Sequence, residues 1–255
     1  ATASLKPAAA RRTRADRMNP TPFPATGYDA EIRRTVPQYD EFFRIICSAV
    51  RSHFPDNPVD WLDVGCGTGR MFEEAAEKAS LRSFAFADSS PEMLETARRR
   101  FSEASVPTQF FVCRAEKIGK TGKYDVVSSV LVNHYLNGCA RRNAYQSAWQ
   151  ALRPGGIYIC FENYDPETEK EYLLRRDEWI GFQRANGRTA EECSAHLARR
   201  FRAYFPYKLS ALVPLLREVG FEKITVLHTS CLQAGVLAQK PFLSTSSGNR
   251  PSADN

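Results

Sequence analysis

Two rhythms of apolar residues exchange along this chain: short unbroken runs, and longer stretches with an apolar residue every third or fourth place. Unbroken runs bounded by glycine or proline favour buried strands, whereas the longer period favours helices. The clearest run, Val59 to Asp63, is followed by Gly65, Gly67 and Gly69 and then by a helical pattern from Met71 to Ser80. It reads as a buried parallel strand entering a tight turn and a helix. Leu81 to Ala87 is a second strand closed by Asp88, and Ser90 and Pro91 open a helix with Glu92 and Glu95 near its start, where negative charge suits the helix dipole. Phe110 to Cys113 and Tyr124 to Leu131 are third and fourth strands, a helix runs from Arg141 to Leu152, and Ile157 to Phe161 is a fifth strand. This spacing predicts an α/β fold, a doubly wound and mostly parallel sheet.

The flanking segments complete that sheet and depart from its rhythm. Asp29 to Phe54 reads as two amphipathic helices broken at Pro37. Over residues 165–207 the alternation stops, and two helical patterns predict an inserted cap. The first is capped by Asp165 with Pro166 at its first position; the second opens on a capping box from Thr189 to Glu192. A helix from Lys208 to Val219, closed by Gly220, leads to strands Lys223 to Leu227 and Ala234 to Ala238, a terminal hairpin that brings the sheet to seven strands. One domain is therefore expected over residues 28–240, between a disordered basic tail (1–27) and a loose C-terminal tail (241–255).

Composition narrows the class. With 43% apolar and 25% charged residues among 255, the chain matches a soluble globular protein, and no apolar run approaches the roughly 18 residues that span a bilayer. The net charge of +6 is concentrated: Lys6, Arg11, Arg12, Arg14 and Arg17 against Asp16 give the first twenty residues +4 and leave the body nearly neutral. That tail also has the arginine-rich, acid-poor character of an organelle transit peptide, and Met18 is a second candidate start. Seven scattered cysteines without a C-x-x-C pair argue against a metal centre or disulfide framework and for a reducing cytoplasm.

The glycine turn holds the candidate chemistry. Asp63-x-Gly65-x-Gly67-x-Gly69 is not the dinucleotide fingerprint, because the third glycine stands one place early. With Asp88 closing the next strand, and the run Ser89-Ser90-Pro91-Glu92-Met93-Leu94 continuing to Arg98 after it, the pattern resembles the first two motifs of class I S-adenosylmethionine (SAM) methyltransferases. That resemblance implies a glycine turn around the methionine part of SAM and an acid, here Asp88, on both ribose hydroxyls. The stretch EIRRTVPQY (31–39), Phe182 to Gly187 and Gln233 to Lys240 extend the likeness, over residues 29–240, to the tRNA wobble-uridine carboxymethyltransferase family and its relatives. Carried over residue by residue, that family implies cofactor contacts at Tyr39, Gly65, Cys66, Gly67, Asp88, Ser89, Arg114 and Ala115, and the rule that ligands lie beyond the strand ends adds Asp63. Its fourth-strand asparagine falls at Val130, and Cys113-Arg114 replace the Gly-Asp that many members place near the adenine, so the adenine is held either by backbone amides and stacking or by Glu116 as a substitute acceptor. The family's arginine for the carboxylate of carboxy-SAM falls near Arg199 only with a gap. SAM is thus the expected cofactor, with carboxy-SAM the alternative.

For catalysis, methyl transfer needs alignment, exclusion of water and removal of a proton from the acceptor. His134, beyond the fourth strand, is the candidate base, read alongside a plain loop-fixing role. Tyr39 and Tyr135 either pack against the sulfonium or serve as ordinary packing aromatics. The run Arg199 to Tyr204 reads either as a nucleic-acid contact or as the solvated face of a helix with Leu197, Phe201 and Tyr204 turned inward. The expected activity is methyl transfer to a small molecule held beneath the cap, without metal or membrane and with a homodimer admitted. The alternatives are methyl or carboxymethyl transfer to the wobble uridine of tRNA, and a non-catalytic SAM-binding protein.

Overall fold

Strands β1 (Val59–Val64), β2 (Leu81–Asp88), β3 (Thr108–Val112), β4 (Tyr124–Val130), β5 (Leu152–Asn163), β6 (Glu222–Ser230) and β7 (Gln233–Gln239) join one sheet in the order 3-2-1-4-5-7-6. This computed structural model describes residues 23–242. The expectations of a disordered leader, organelle targeting, a start at Met18 and a loose end past Phe242 lie outside the described residues.

The first five strands pair in parallel, and β7 runs antiparallel between β5 and β6. Both faces are covered, which explains the unbroken apolar runs. Neighbours along a strand point to opposite faces, so Trp61 and Phe84 pack into one core with Phe42, Ile46, Met71 and Phe72, while Leu62 and Ala85 pack into a second with Tyr145, Tyr158 and Leu216. Helices α2 (Tyr39–His53), α3 (Arg70–Lys78) and α4 (Pro91–Arg100) supply the first layer; α5 (Gly138–Ala151) and α8 (Leu209–Val219) supply the second. The chain leaves the sheet centre in opposite directions after β1 and β4, which opens a crevice at their carboxyl ends.

Helix α1 (Tyr28–Thr35) roofs that crevice. It is tied to the sheet side by Asp29, which accepts from Thr68 Oγ1 at 2.7 Å and pairs with Arg100, and to the cap side by Glu31, which pairs with Arg188. Arg34 donates to the carbonyls of Asn186 and Gly187. Phe23, placed in the tail by sequence, packs against Tyr28 and beneath the Arg188 guanidinium.

The cap segment holds α6 (Glu169–Ala185) and α7 (Ala190–Leu197). The capping box at Thr189 and Glu192 forms as expected. Helix α6, however, starts later than expected, on Thr168, because Asp165 is otherwise engaged: its carboxylate holds Arg200 and its N–H donates to the Tyr207 carbonyl. Residues 199–204 are not a helical face either. The chain turns there, with Phe201 at φ +57° and 55% exposed, while Tyr204 turns inward. Among the described residues no helix is long and apolar enough to cross a membrane.

Candidate active site

The glycine turn after β1 is shaped by its neighbours. Gly65 has φ +70°, and a Cβ there would stand 2.2 Å from Val132 Cγ2, so the turn beyond β4 leaves no room for a side chain. Asp88 at the end of β2 braces the same turn: its Oδ2 accepts from Gly67 N–H at 2.9 Å and its Oδ1 from Ser90 N–H at 2.8 Å. Burial pushes its carboxyl above the usual range, partly offset by these amides.

Above the strand ends lies a cavity of about 500 Å³. Gly65, Gly67, Asp88, Ser89, Arg114, Ala115, Glu116 and Val130 line its sheet side, so eight of the expected cofactor positions are brought together. Tyr28 from α1 and Met93 from α4 join them, and Trp179, His196, Arg200 and Tyr204 line it from the cap side. At the third strand end, Arg114 Nε donates to Glu116 Oε1 at 2.6 Å, while Glu116 Oε2 is buried without a partner.

Three expected contacts lie outside the cavity. Tyr39 packs edge-on against Phe42 and Phe43 and borders a separate hollow with Gln38 and His228; Tyr28 occupies the roof instead. Asp63 is sealed beneath the turn, accepting from Ser128 Oγ at 2.6 Å, which in turn accepts from Trp61 Nε1 at 2.8 Å. Burial lifts its carboxyl to about 7. Cys66 is buried with its N–H on the Ala87 carbonyl, and desolvation raises its thiol. Arg199 does not line the cavity; its neighbour Arg200 does, paired with Asp165.

His134 stands where the two sides meet, on a single helical turn (Asn133–Tyr135) after β4. Leu131 at φ +59° redirects the chain into this turn, a conformation that costs a branched side chain of this kind roughly 1–3 kcal/mol. The turn is gathered by Glu162 at the end of β5, whose carboxylate accepts from the N–H groups of Val132, Asn133 and His134. Its Oε2 also lies 2.7 Å from His134 Nδ1. A carboxylate facing Nδ1 fixes the proton there and leaves Nε2 as the acceptor, to which Asn163 Nδ2 donates at 3.3 Å. Gln233 Nε2 donates to Asn163 Oδ1 at 2.8 Å and so orients that amide. Behind the turn, buried Arg141 donates to the carbonyls of Asn133, His134, Leu136 and Phe205, and its guanidinium lies 3.8 Å from the Tyr207 ring centre. It joins the His134 turn to Phe205 and Tyr207, at the end of the 165–207 segment.

Sequence reasoning missed Glu162, Asn163, Gln233, Arg141 and Tyr28. The first two carried a usable signal, since they close an apolar strand just as Asp88 does. The others are placed by tertiary packing alone. Among the described residues no group of three or more His, Cys, Asp or Glu side chains is arranged to hold a metal ion.

Residues 62–156, from β1 into β5, match the family model described as a methyltransferase domain. The chain carries a SAM-dependent methyltransferase domain. The carboxy-S-adenosyl-L-methionine synthase of Nautilia profundicola is 20% identical over 80% of this chain and 86% of its own length. The protein of the same name from Photorhabdus laumondii is 27% identical over 81% and 82%. Among solved structures, the Burkholderia thailandensis 1,6-didemethyltoxoflavin-N1-methyltransferase, with its substrate and S-adenosylhomocysteine bound, superposes with a TM-score of 0.56. It is 18% identical over 85% of this chain and 84% of that one, so it shares the fold. The methyltransferase domain thus supplies the sheet side of the cavity, and α6 and α7 follow it in the chain.

Proposed function

We propose that the enzyme moves a methyl group from SAM to a small molecule held between the strand ends and the cap, with His134 as general base. The carrying observation is one cavity lined by two unlike sets of groups that meet at His134. The sheet-side residues fit SAM. The Asp88 carboxylate accepts amide hydrogens from Gly67 and Ser90 among others and keeps capacity for the ribose hydroxyls. The orphaned Glu116 Oε2 is an acceptor suited to the adenine amino group, and Ser89 and Ala115 flank these acids. Gly65 and Gly67 leave the turn open to the methionine part, and Tyr28 closes over it. Asp63, Cys66 and Tyr39 then act from behind, holding the turn and α2.

When bound, SAM supplies an electrophilic methyl on a positive sulfur, which becomes a neutral thioether as the acceptor's electron pair forms the new bond. The chain's own residues do the rest. Glu162 fixes the His134 ring; Nε2 takes the acceptor's proton as it gives up the Asn163 Nδ2 hydrogen bond that fills its lone pair in the resting site, and the Glu162 carboxylate faces the imidazolium that results. Helix α1 and the cap exclude water.

Carboxy-SAM is the second reading, favoured by the names of the relatives. Against it, both arginines lining the cavity are matched by carboxylates, Arg114 by Glu116 and Arg200 by Asp165. A tRNA acceptor has less support, because the basic run 199–204 spends Arg200 on Asp165 and turns Tyr204 inward. Seven free thiols suit a reducing cytoplasm. Calorimetry with SAM, S-adenosylhomocysteine and NAD tests the reading: SAM and its product should bind in the micromolar range. Binding of NAD alone would refute it.

A further inference from the structure

Resting on that reading, we propose that the cap-side half of the cavity is a subsite for an uncharged, planar aromatic acceptor that carries hydroxyl groups and a carbonyl-type oxygen. Three independent features of the cavity wall lead there.

The first is a chain of rings. Trp179 meets His196 at 5.1 Å between centroids, His196 meets Tyr204 at 6.1 Å, Tyr204 meets His134 at 5.8 Å and His134 meets Tyr135 at 4.3 Å. All five residues line the cavity. Rings presented at mixed tilts favour a flat π-system by offset stacking and edge contact, and a saturated ring of the same size gains only area burial.

The second is the lack of an unmatched charge on that wall. Arg200 is neutralised by Asp165. His196 is held neutral, its pKa lowered to about 3 by burial first and then by Arg199, Arg188 and His134. An anion brought here would leave water without a counterion.

The third is a pair of buried polar atoms without partners. Trp179 is 3% exposed and its Nε1 has no acceptor; Gln233 is 1% exposed and its Oε1 has no donor. The indole N–H only donates, so it asks a ligand for an acceptor such as a carbonyl oxygen. The Gln233 oxygen only accepts, so it asks for a donor such as a hydroxyl. Gln233 is also the residue that orients Asn163 beside His134 Nε2. A hydroxyl bound there lies next to the base that removes its proton.

The test is binding with S-adenosylhomocysteine already in place, which separates this proposal from the reading beneath it. Three probes of equal size are compared by calorimetry: resacetophenone (a neutral dihydroxyaryl ketone), β-resorcylate (the same ring with a carboxylate) and 2,4-dihydroxycyclohexyl methyl ketone (the saturated ring). Resacetophenone should bind about tenfold or more tighter than either, because the wall rejects a ligand that leaves its polar atoms unpaired or brings an unmatched charge. Trp179→Phe and Gln233→Met should each weaken resacetophenone about fivefold to tenfold and leave S-adenosylhomocysteine affinity unchanged, which also reports that the variants are folded. Equal binding of the three probes, absence of binding by all of them, preference for β-resorcylate, or variants that bind resacetophenone like wild type would each overturn the proposal. Failure of S-adenosylhomocysteine itself to bind the wild type would instead sink the methyltransferase reading.

Discussion

The two walls of the cavity are built by different means. The sheet wall comes from consecutive strand ends: the amides of Gly67 and Ser90 brace Asp88, Arg114 pairs with its near neighbour Glu116, and the Val132 side chain leaves Gly65 no room for a Cβ. The cap wall is assembled from side chains of the 165–207 segment, Trp179, His196, Arg200 and Tyr204, joined by Gln233 at the start of β7, and their neighbours are mostly other side chains. A wall made from backbone geometry suits a cofactor whose shape never varies. A wall of side chains on an insertion is the part that changes with the acceptor. His134 belongs to both, rising from a strand end but reached by Phe205 from the cap side and by Arg141 from α5.

The largest effect that sharpens this contrast should come at that junction. His134→Ala removes a group that matters only while a proton moves, so turnover should fall by about 10²–10⁴-fold with the fold intact. Unchanged turnover in single-turnover assays would return His134 to holding its loop. Next is the link behind it. Arg141→Met removes the guanidinium from four carbonyls at a position 2% exposed, and although Asn133 keeps the Leu136 N–H and His134 the Phe205 N–H, the loss should cost about 2–4 kcal/mol in urea denaturation. A loss near zero would mean that the walls are not joined there.

The smallest effect isolates the sheet wall through pH. The folded chain keeps the Asp63 proton up to about 7, whereas an unfolded aspartate releases it near about 4. Between those values the unfolded state binds fewer protons, so this group lowers stability as pH rises from about 4 to about 7 and adds nothing further above that. Asp63→Asn imitates the protonated form and can still accept from Ser128. Its melting temperature relative to wild type should therefore climb by roughly 3–5 °C per pH unit within that window, and a flat difference would show Asp63 ionised throughout.

The same contrast explains what the sequence disclosed. Turn chemistry and strand-closing acids are local, so the glycine turn, Asp88 and Glu116 were legible, as was the seven-stranded sheet from its apolar runs. Tyr39 and Asp63 were misplaced because a spacing rule says which strand end a residue follows but not which way its side chain faces: Asp63 points at Ser128 on β4, beneath the turn. Asp165 looked like a cap because its competing partner, Arg200, is 35 residues away. The ring chain of the cap and the Glu162–His134 pair depend on contacts of the same long range, which no local pattern announces.

Division of the cavity into a cofactor half and an acceptor half would show in SAM affinity, measured by calorimetry in Asp88→Ala and His134→Ala. Asp88→Ala should weaken SAM by about 1.5–3 kcal/mol, the loss of a charged acceptor to two hydroxyls, while His134→Ala should bind SAM as the wild type does. Equal losses in both variants, or unaltered SAM binding in Asp88→Ala, would contradict the division.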